Sequence, residues 1–131
     1  MRELGIQTGS RTEFIDVTGQ IAGVVADSGI QDGLVNVFVP HTTAGITINE
    51  NADPDVLSDM ELALDRMVPW QNGYAHCEGN SAAHVKATLT GSSVSIIVSK
   101  GRLLLGTWQG IYFAEYDGPR RRKLMVKVVA G

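Results

Sequence analysis

Two of the three histidines of this 131-residue chain lie in one short polar stretch, residues 76–86. In an extended segment, side chains two residues apart face the same way, so His76 and Glu78 are expected to point together. Gly79 permits a turn, and a helix that begins just after it would place His84 in or near its first turn. His76, Glu78 and His84 would then lie within reach of one small ion.

The third histidine, His41, belongs to a second polar stretch, residues 40–55. Neutral imidazole is the commonest ligand of transition metals, and three histidines with a carboxylate nearby match the three protein ligands of catalytic zinc sites. The spacing fits no H-E-x-x-H or paired C-x-x-C signature, so ordinary hydrogen-bonded histidines are the competing interpretation. Cys77 is expected to be a small buried residue rather than a nucleophile, because in a strand it would point away from His76.

Carboxylates and amides also crowd the residues before a predicted helix. Asp53 and Asp55 flank Pro54 and are explained as helix-start residues, which cap the first turn and suit its positive end. Asn49 and Glu50 have no such explanation. Their side chains could bind Mg²⁺ or act as acid and base, so we treat them as candidate functional residues.

Two further groups could hold a substrate. Alternation along a strand would send Arg120 and Arg122 to one side, where they could converge on a phosphate, although a solvated sheet edge is the alternative. Trp108 and Gln109 lie between two glycines, which weaken a strand unless the backbone must approach something closely. Trp108 could stack on a ring and Gln109 could read its edge, with core packing as the competing role of Trp108.

Hydrophobic periodicity predicts the elements that would position these side chains. We expect an opening hairpin, three helices, an antiparallel meander of four strands at the C-terminus, and hence a mostly antiparallel, sandwich-like α+β fold. The predicted helices cover residues 20–28, the segment from Pro54 to just before Pro69, and 81–89. The predicted strands cover residues 4–8, 13–17, 34–39, 45–49, 94–98, 102–105, 111–116 and 123–129.

Composition limits the class of protein. A content of 44% apolar and 19% charged residues predicts one globular domain over residues 1–131. A net charge of −3 and a pI near 5.5 argue against a nucleic-acid partner, and no apolar run reaches the length of a membrane span. A single cysteine and the lack of a signal-peptide pattern predict a cytoplasmic location.

Three motifs read P-H-T-T-A-G-I-T-I-N-E-N-A-D-P-D at residues 40–55, G-N-S-A-A-H-V-K at 79–86 and L-G-T-W-Q-G-I at 105–111. Together they resemble the motifs of the YjbQ family, small proteins long regarded as uncharacterised and described as secondary thiamine-phosphate synthases. The resemblance implies a sheet-rich α+β fold, a homotrimer and a metal pocket around the motif histidines. It makes His41, His76 and His84 the candidate ligands of a divalent metal, which their donor type predicts to be zinc, and it places Asn49, Glu50 and Glu78 close by.

The implied activity joins a pyrimidine-methyl pyrophosphate to a thiazole phosphate. Arg120, Arg122 and a metal could neutralise the departing pyrophosphate, and Trp108 could lie beside the cationic pyrimidine-methyl centre. Pyrophosphate is usually bound together with Mg²⁺ that is held by oxygen ligands, whereas histidines prefer zinc. Because of this mismatch we keep two alternatives. These are a metal-dependent hydrolase with Glu50 or Glu78 as base, and a non-catalytic trimeric module that binds a small phosphorylated metabolite.

Overall fold

The computed structural model describes all 131 residues. They form eight strands and three helices. In chain order, these elements are β1 (Arg2–Gln7), β2 (Glu13–Asp16), α1 (Thr18–Ser28), β3 (Gly33–Phe38), β4 (Ala44–Glu50), α2 (Pro54–Met67), α3 (Ser81–Thr90), β5 (Ser93–Ser99), β6 (Arg102–Leu103), β7 (Gln109–Glu115) and β8 (Arg121–Ala130).

The strands form two antiparallel sheets. One has the order β1-β8-β3-β5-β6, and the other has the order β2-β7-β4. The predicted sheet-rich, antiparallel α+β class is therefore confirmed. The predicted opening hairpin is wrong, because β1 pairs with β8 and β2 pairs with β7. The predicted C-terminal meander is also wrong, because β7 joins the other sheet and β8 lies between β1 and β3.

The main core lies between the inner faces of the strands and α1. Val35 and Val37 of β3 are fully buried in it, and Phe113 of β7 is buried opposite them in the other sheet. Buried and exposed residues alternate along β3, and Leu34 is 52% exposed. Leu34 pairs across the sheet with Ile97 and Val129, which are also more than half exposed. These three residues define what we call the outer apolar row.

Helix α2 begins as its sequence predicts. The Asp53 carboxylate accepts a hydrogen bond from the backbone N–H of Asp55 at 2.9 Å, and Pro54 occupies the first turn. No residue of α2 is buried, and Met67 at its end is 67% exposed. None of the three helices combines the length and the apolar character that crossing a bilayer requires.

Backbone hydrogen bonds bring the end of α3 and the loop that carries His41 to one end of the three-stranded sheet. The N–H of Val39 donates to Ser92 O at 2.8 Å, and the N–H of Ile46 donates to Gly91 O at 3.1 Å. The end of α3 is thereby fixed against β4 and the loop that precedes it. The N–H of Tyr116 donates to Thr43 O at 3.1 Å, which brings the end of β7 to the same loop.

Candidate functional site

All three histidines line one open cleft of about 480 Å³, which we call the histidine cleft. Its walls come from the loop before β4, the loop and first turn of α3, and the turn that leads into β8. Apart from one proline, every lining residue is polar. The lining residues are Pro40, His41, Thr42, Thr43, His76, Glu78, Asn80, His84, Asp117, Arg120 and Arg122.

His41 is held as a neutral imidazole. Its Nε2 accepts a hydrogen bond from the backbone N–H of Lys123 at 2.9 Å, which requires this nitrogen to carry no proton. Burial lowers the pKa of His41, and the nearby charge of Arg122 lowers it further. At neutral pH the ring therefore carries its proton on Nδ1 and keeps one hydrogen-bond donor.

His76 and His84 lie together, as the spacing of their motif predicts. Their ring centroids are 5.6 Å apart and the rings meet edge to face at 87°. His76 Nε2 lies 4.0 Å from Glu78 Oε2, so the two side chains do point the same way. Gly79 has a φ of +75°, which fits the turn expected there.

This arrangement does not fit a metal ion within one chain. No group of three His, Cys, Asp or Glu side chains lies close enough together to hold one. His41 already uses its Nε2 to accept the Lys123 N–H, so a metal there would have to displace a backbone hydrogen bond. One chain alone therefore offers no ligand set for the predicted zinc cofactor.

Arg122 is committed to a buried network rather than to the cleft. Its side chain is 4% exposed and forms two hydrogen bonds with the fully buried Glu115, one of them from Nε to Oε1 at 2.8 Å. Its Nη2 also donates to Thr43 Oγ1 at 2.8 Å. Burial alone would raise the pKa of Glu115, but hydrogen bonds from Arg122, the backbone of Asp117 and Thr8 outweigh burial and hold this pKa below its ordinary value.

Arg120 remains the accessible cation of the histidine cleft. Its Nε donates to Asp117 O at 2.9 Å and its Nη2 to Asp117 Oδ2 at 3.0 Å. The side chain is 49% exposed, so the rest of the guanidinium fork is free to meet a ligand. Arg120 and Arg122 were both predicted to converge on a phosphate, but only Arg120 has accessible donors.

Four predicted site residues lie away from the cleft in one chain. Strand register pairs Ala44 with Glu115 and Glu50 with Gln109, so the two ends of β4 are about 20 Å apart at a rise of ~3.3 Å per residue. Glu50 and Gln109 therefore lie at the end opposite the histidines. Their neighbours there are Asn49, whose Nδ2 lies 3.4 Å from Met60 Sδ, and Trp108, which is 63% exposed.

Two functional candidates were missed or misread in the sequence. Asn80 and Asp117 line the cleft, and Asn80 Nδ2 donates to Asp117 Oδ2 at 2.8 Å, yet the two residues read as a helix cap and a turn. Asn80 occupies the cap position, but its side chain makes no capping hydrogen bond. The sequence shows that Asn80 is a suitable N-cap residue, but only the structure shows that its side chain does not cap the helix. Cys77, expected to be buried, is exposed.

One known protein family matches nearly the whole chain. The profile of the UPF0047 protein YjbQ-like family matches residues 2–131. The chain belongs to the YjbQ family. It is 49% identical to the UPF0047 protein YugU of Bacillus subtilis over 130 residues, which is 98% of either chain. It is 51% identical to a UPF0047 protein of Methanocaldococcus jannaschii over 124 residues, 95% of this chain and 90% of that protein.

Solved YjbQ structures share the fold. A protein of the YjbQ/UPF0047 family from Clostridium acetobutylicum is 54% identical and superposes with a TM-score of 0.97, covering 98% of this chain and 100% of that chain. A YbjQ-like protein from Sulfolobus solfataricus is 31% identical and superposes with a TM-score of 0.95. The match covers 99% of this chain and 96% of that chain. The family and fold implied by the three motifs are both confirmed.

The predicted activity is corrected by the same findings. The solved relative from Sulfolobus solfataricus is described as a protein of unknown function, and the name of YugU states only its family. Neither the relatives nor the side-chain geometry supports thiamine-phosphate synthesis or a metal centre. The prediction of a metal-dependent thiamine-phosphate synthase is therefore wrong, and its metal-dependent hydrolase alternative fails for the same reason.

Proposed function

We propose that the histidine cleft binds a small phosphorylated metabolite. The observation that carries this proposal is the convergence of the accessible Arg120 guanidinium, three imidazoles and the first turn of a helix on one polar cleft. Phosphate oxygens suit such donors, because hydrogen bonds between charged groups are roughly twice as strong as neutral ones. None of the residues that line the cleft is hydrophobic, so its ligand is expected to be compact and polar.

The start of α3 supports the same ligand class. The backbone N–H groups of Ser81 and Ala82 donate to no protein acceptor, and the Asn80 side chain does not cap them. Unpaired N–H groups and the helix dipole favour an anion at this position. Asn80 and His84 both belong to the wall of the cleft, so a bound phosphate would lie near these donors.

Imidazoles suit a phosphate ligand because their ring nitrogens can form hydrogen bonds with its oxygens. His41 is neutral and offers an N–H donor. His76 and His84 supply two further rings beside it, with centroids 5.6 Å apart.

Replacing Arg120 by Gln tests this proposal. We expect affinity for inorganic phosphate and for glycerol phosphate to fall about tenfold or more, because a hydrogen bond to a charged group is worth about 1.5–3 kcal/mol. The measurement is isothermal titration calorimetry at constant pH and salt. Arg102→Gln, which removes an exposed arginine of β6, is the matched control and should bind both ligands as wild type does.

Four results would count against the phosphate proposal. The first three are an absence of phosphate binding by the wild-type chain, equal losses in both arginine variants, and glycerol binding as tightly as glycerol phosphate. Arg120 also pairs with Asp117, so thermal unfolding of the variant should be recorded beside its affinity. A folded Arg120→Gln protein with unchanged affinity would remove the main support.

Assembly as a homotrimer is the proposed state of the protein, supported by the outer apolar row of Leu34, Ile97 and Val129. These side chains are adjacent across three strands and more than half exposed, as expected for a surface that another chain covers. Light scattering after size exclusion should give a mass close to three times 14.0 kDa. A mass of one chain would contradict the proposal.

We also propose that the protein is located in the cytoplasm, which is supported by the free thiol of Cys77.

A further inference from the structure

A second cleft, on the other side of α3, has no part in the site described above. It has a volume of about 620 Å³ and shares no lining residue with the histidine cleft. His84 and Lys86 are two positions apart on α3, about 200° around the helix, so they face opposite clefts. We call the second one the lysine cleft. Its walls are Ser10, Arg11, Thr12, Glu61, Asp65, Pro69, Trp70 and Lys86.

Lys86 is a buried cation with unused donors. Its side chain is 5% exposed, and its Nζ makes one very short ion pair, with Asp65 Oδ1. An ammonium group has three N–H donors, and no second protein acceptor lies within hydrogen-bond distance of this one. A buried donor without a partner is destabilising, so the position favours a further acceptor.

Arg11 is fixed at the edge of the same cleft. Its guanidinium lies over the Trp70 ring, 4.1 Å from the ring centroid, and its backbone carbonyl accepts a hydrogen bond from Gly118 N at 3.1 Å. Stacking on an aromatic ring uses the face of the guanidinium and leaves its in-plane N–H groups free. Arg11 forms no ion pair, so these donors are available to a ligand.

The charges of the lysine cleft balance. Arg11 and Lys86 contribute two positive charges, and Glu61 and Asp65 contribute two negative charges. Glu61 is half-buried and has neither an ion pair nor a hydrogen bond within the chain. A dianionic phosphate here would lie beside two carboxylates, whereas a ligand with one charge of each sign would meet a partner for both.

We propose that the lysine cleft binds a small zwitterion: an amino acid, or a metabolite that bears both a carboxylate and an amine. The ligand carboxylate accepts hydrogen bonds from Arg11 and from the unused N–H groups of Lys86. The ligand amine donates to Glu61. This site is independent of the phosphate proposal, because neither its residues nor its ligand class is shared with the histidine cleft.

Fluorescence of Trp70 reports on this cleft directly. The chain has two tryptophans, and Trp108→Phe leaves Trp70 as the single indole. This single-tryptophan protein is titrated with each of the standard free amino acids to about 10 mM, with acetate, methylamine and inorganic phosphate as single-charge probes. We expect a saturable change for at least one amino acid, with affinity at least about tenfold greater than for any single-charge probe.

Two variants that spare the buried lysine test the assigned partners. Arg11→Gln and Glu61→Gln should each weaken binding of the selected amino acid about tenfold, as measured by calorimetry. Matched controls are Arg102→Gln and Asp59→Asn, which remove exposed charges of the same sign outside the cleft and should leave that affinity unchanged.

The proposal is overturned by any of three outcomes. One is that no amino acid saturates the Trp70 signal. Another is that acetate, methylamine or phosphate binds as tightly as the best amino acid, which would assign the cleft to a singly charged or anionic ligand. The third is unchanged affinity in both Arg11→Gln and Glu61→Gln.

Discussion

Replacing Glu115 by Gln is expected to lower the free energy of unfolding by about 3–5 kcal/mol, because it leaves the Arg122 guanidinium buried without its counter-charge. Both side chains are almost completely buried, at 0% and 4% exposure. Thr8 and Thr43 hydrogen-bond to the pair but carry no charge, so they cannot replace the carboxylate. Urea unfolding at pH 7, monitored by circular dichroism, measures the change.

Two companion variants make this prediction specific. Arg121→Gln, one residue from Arg122 but exposed, should change stability by no more than about 0.5 kcal/mol. Combining Glu115→Gln with Arg122→Met should recover part of the loss, because the uncompensated buried charge is then gone. Equal stability of wild type and Glu115→Gln would show that the pair does not stabilise the fold.

The same pair gives wild type a defined response to acid. Its surroundings hold the pKa of Glu115 below the ordinary value of 4.5, so the folded state binds this proton less readily than the unfolded state does. The stability it contributes is therefore fully present well above pH 4.5 and is lost as the pH falls through the folded-state pKa. In Glu115→Gln this part of the acid dependence should be absent.

The position of this ion pair explains how the histidine cleft is held. Glu115 ends β7, Arg122 lies near the start of β8, and Thr43 belongs to the loop that carries His41. One buried network thus joins the loop before β4 to the two strands beside it. The backbone N–H of Lys123, next to Arg122, then fixes the His41 ring through Nε2. Loss of the ion pair should therefore disturb the geometry of the histidine cleft as well as lower the stability of the fold.

Local patterns predicted part of the histidine cleft. A turn at Gly79 and a helix starting after it placed His84 beside His76 and Glu78, and all three line the cleft. The segment before Gly79 is a turn and not the expected extended strand, because the Gly79 N–H donates to His76 O at 3.1 Å. These signals are short-range, so they do not depend on how the sheets are arranged. The bounds of α2 and α3 followed for the same reason, because Pro54 and Gly91 mark helix ends in any tertiary context.

Pairings between distant strands could not be predicted in this way. Nothing near Glu115 in the sequence marks it as the buried partner of Arg122, and alternation grouped Arg120 with Arg122 although Arg120 precedes the first residue of β8. Glu50 and Trp108 looked like site residues, but the register of β4 with β7 sends them to the far end of the sheet. Each error concerns a contact decided by topology rather than by local pattern.

Replacing Gly45 by Ala should destabilise the protein by about 1–3 kcal/mol, the usual cost of adding volume where packing is tight. A Cβ at this position would lie 2.6 Å from the carbonyl oxygen of Gly91 and 3.0 Å from Thr90 Cγ2. The carbonyl is backbone and accepts the Ile46 N–H at 3.1 Å, so relief requires α3 to move away from β4. Thermal or urea unfolding measures the loss.

Gly23→Ala in α1 is the control for Gly45→Ala, since no atom lies within 4 Å of its added Cβ. Alanine there should be neutral or stabilise by about 0.5–1 kcal/mol, because glycine is costly inside a helix.

Displacing α3 in Gly45→Ala would also separate His84 from His41, which precedes β4. Phosphate affinity should therefore fall in this variant while the protein remains folded. Loss of stability without loss of affinity would mean that the histidine cleft tolerates a shift of α3, and that Arg120 alone governs binding.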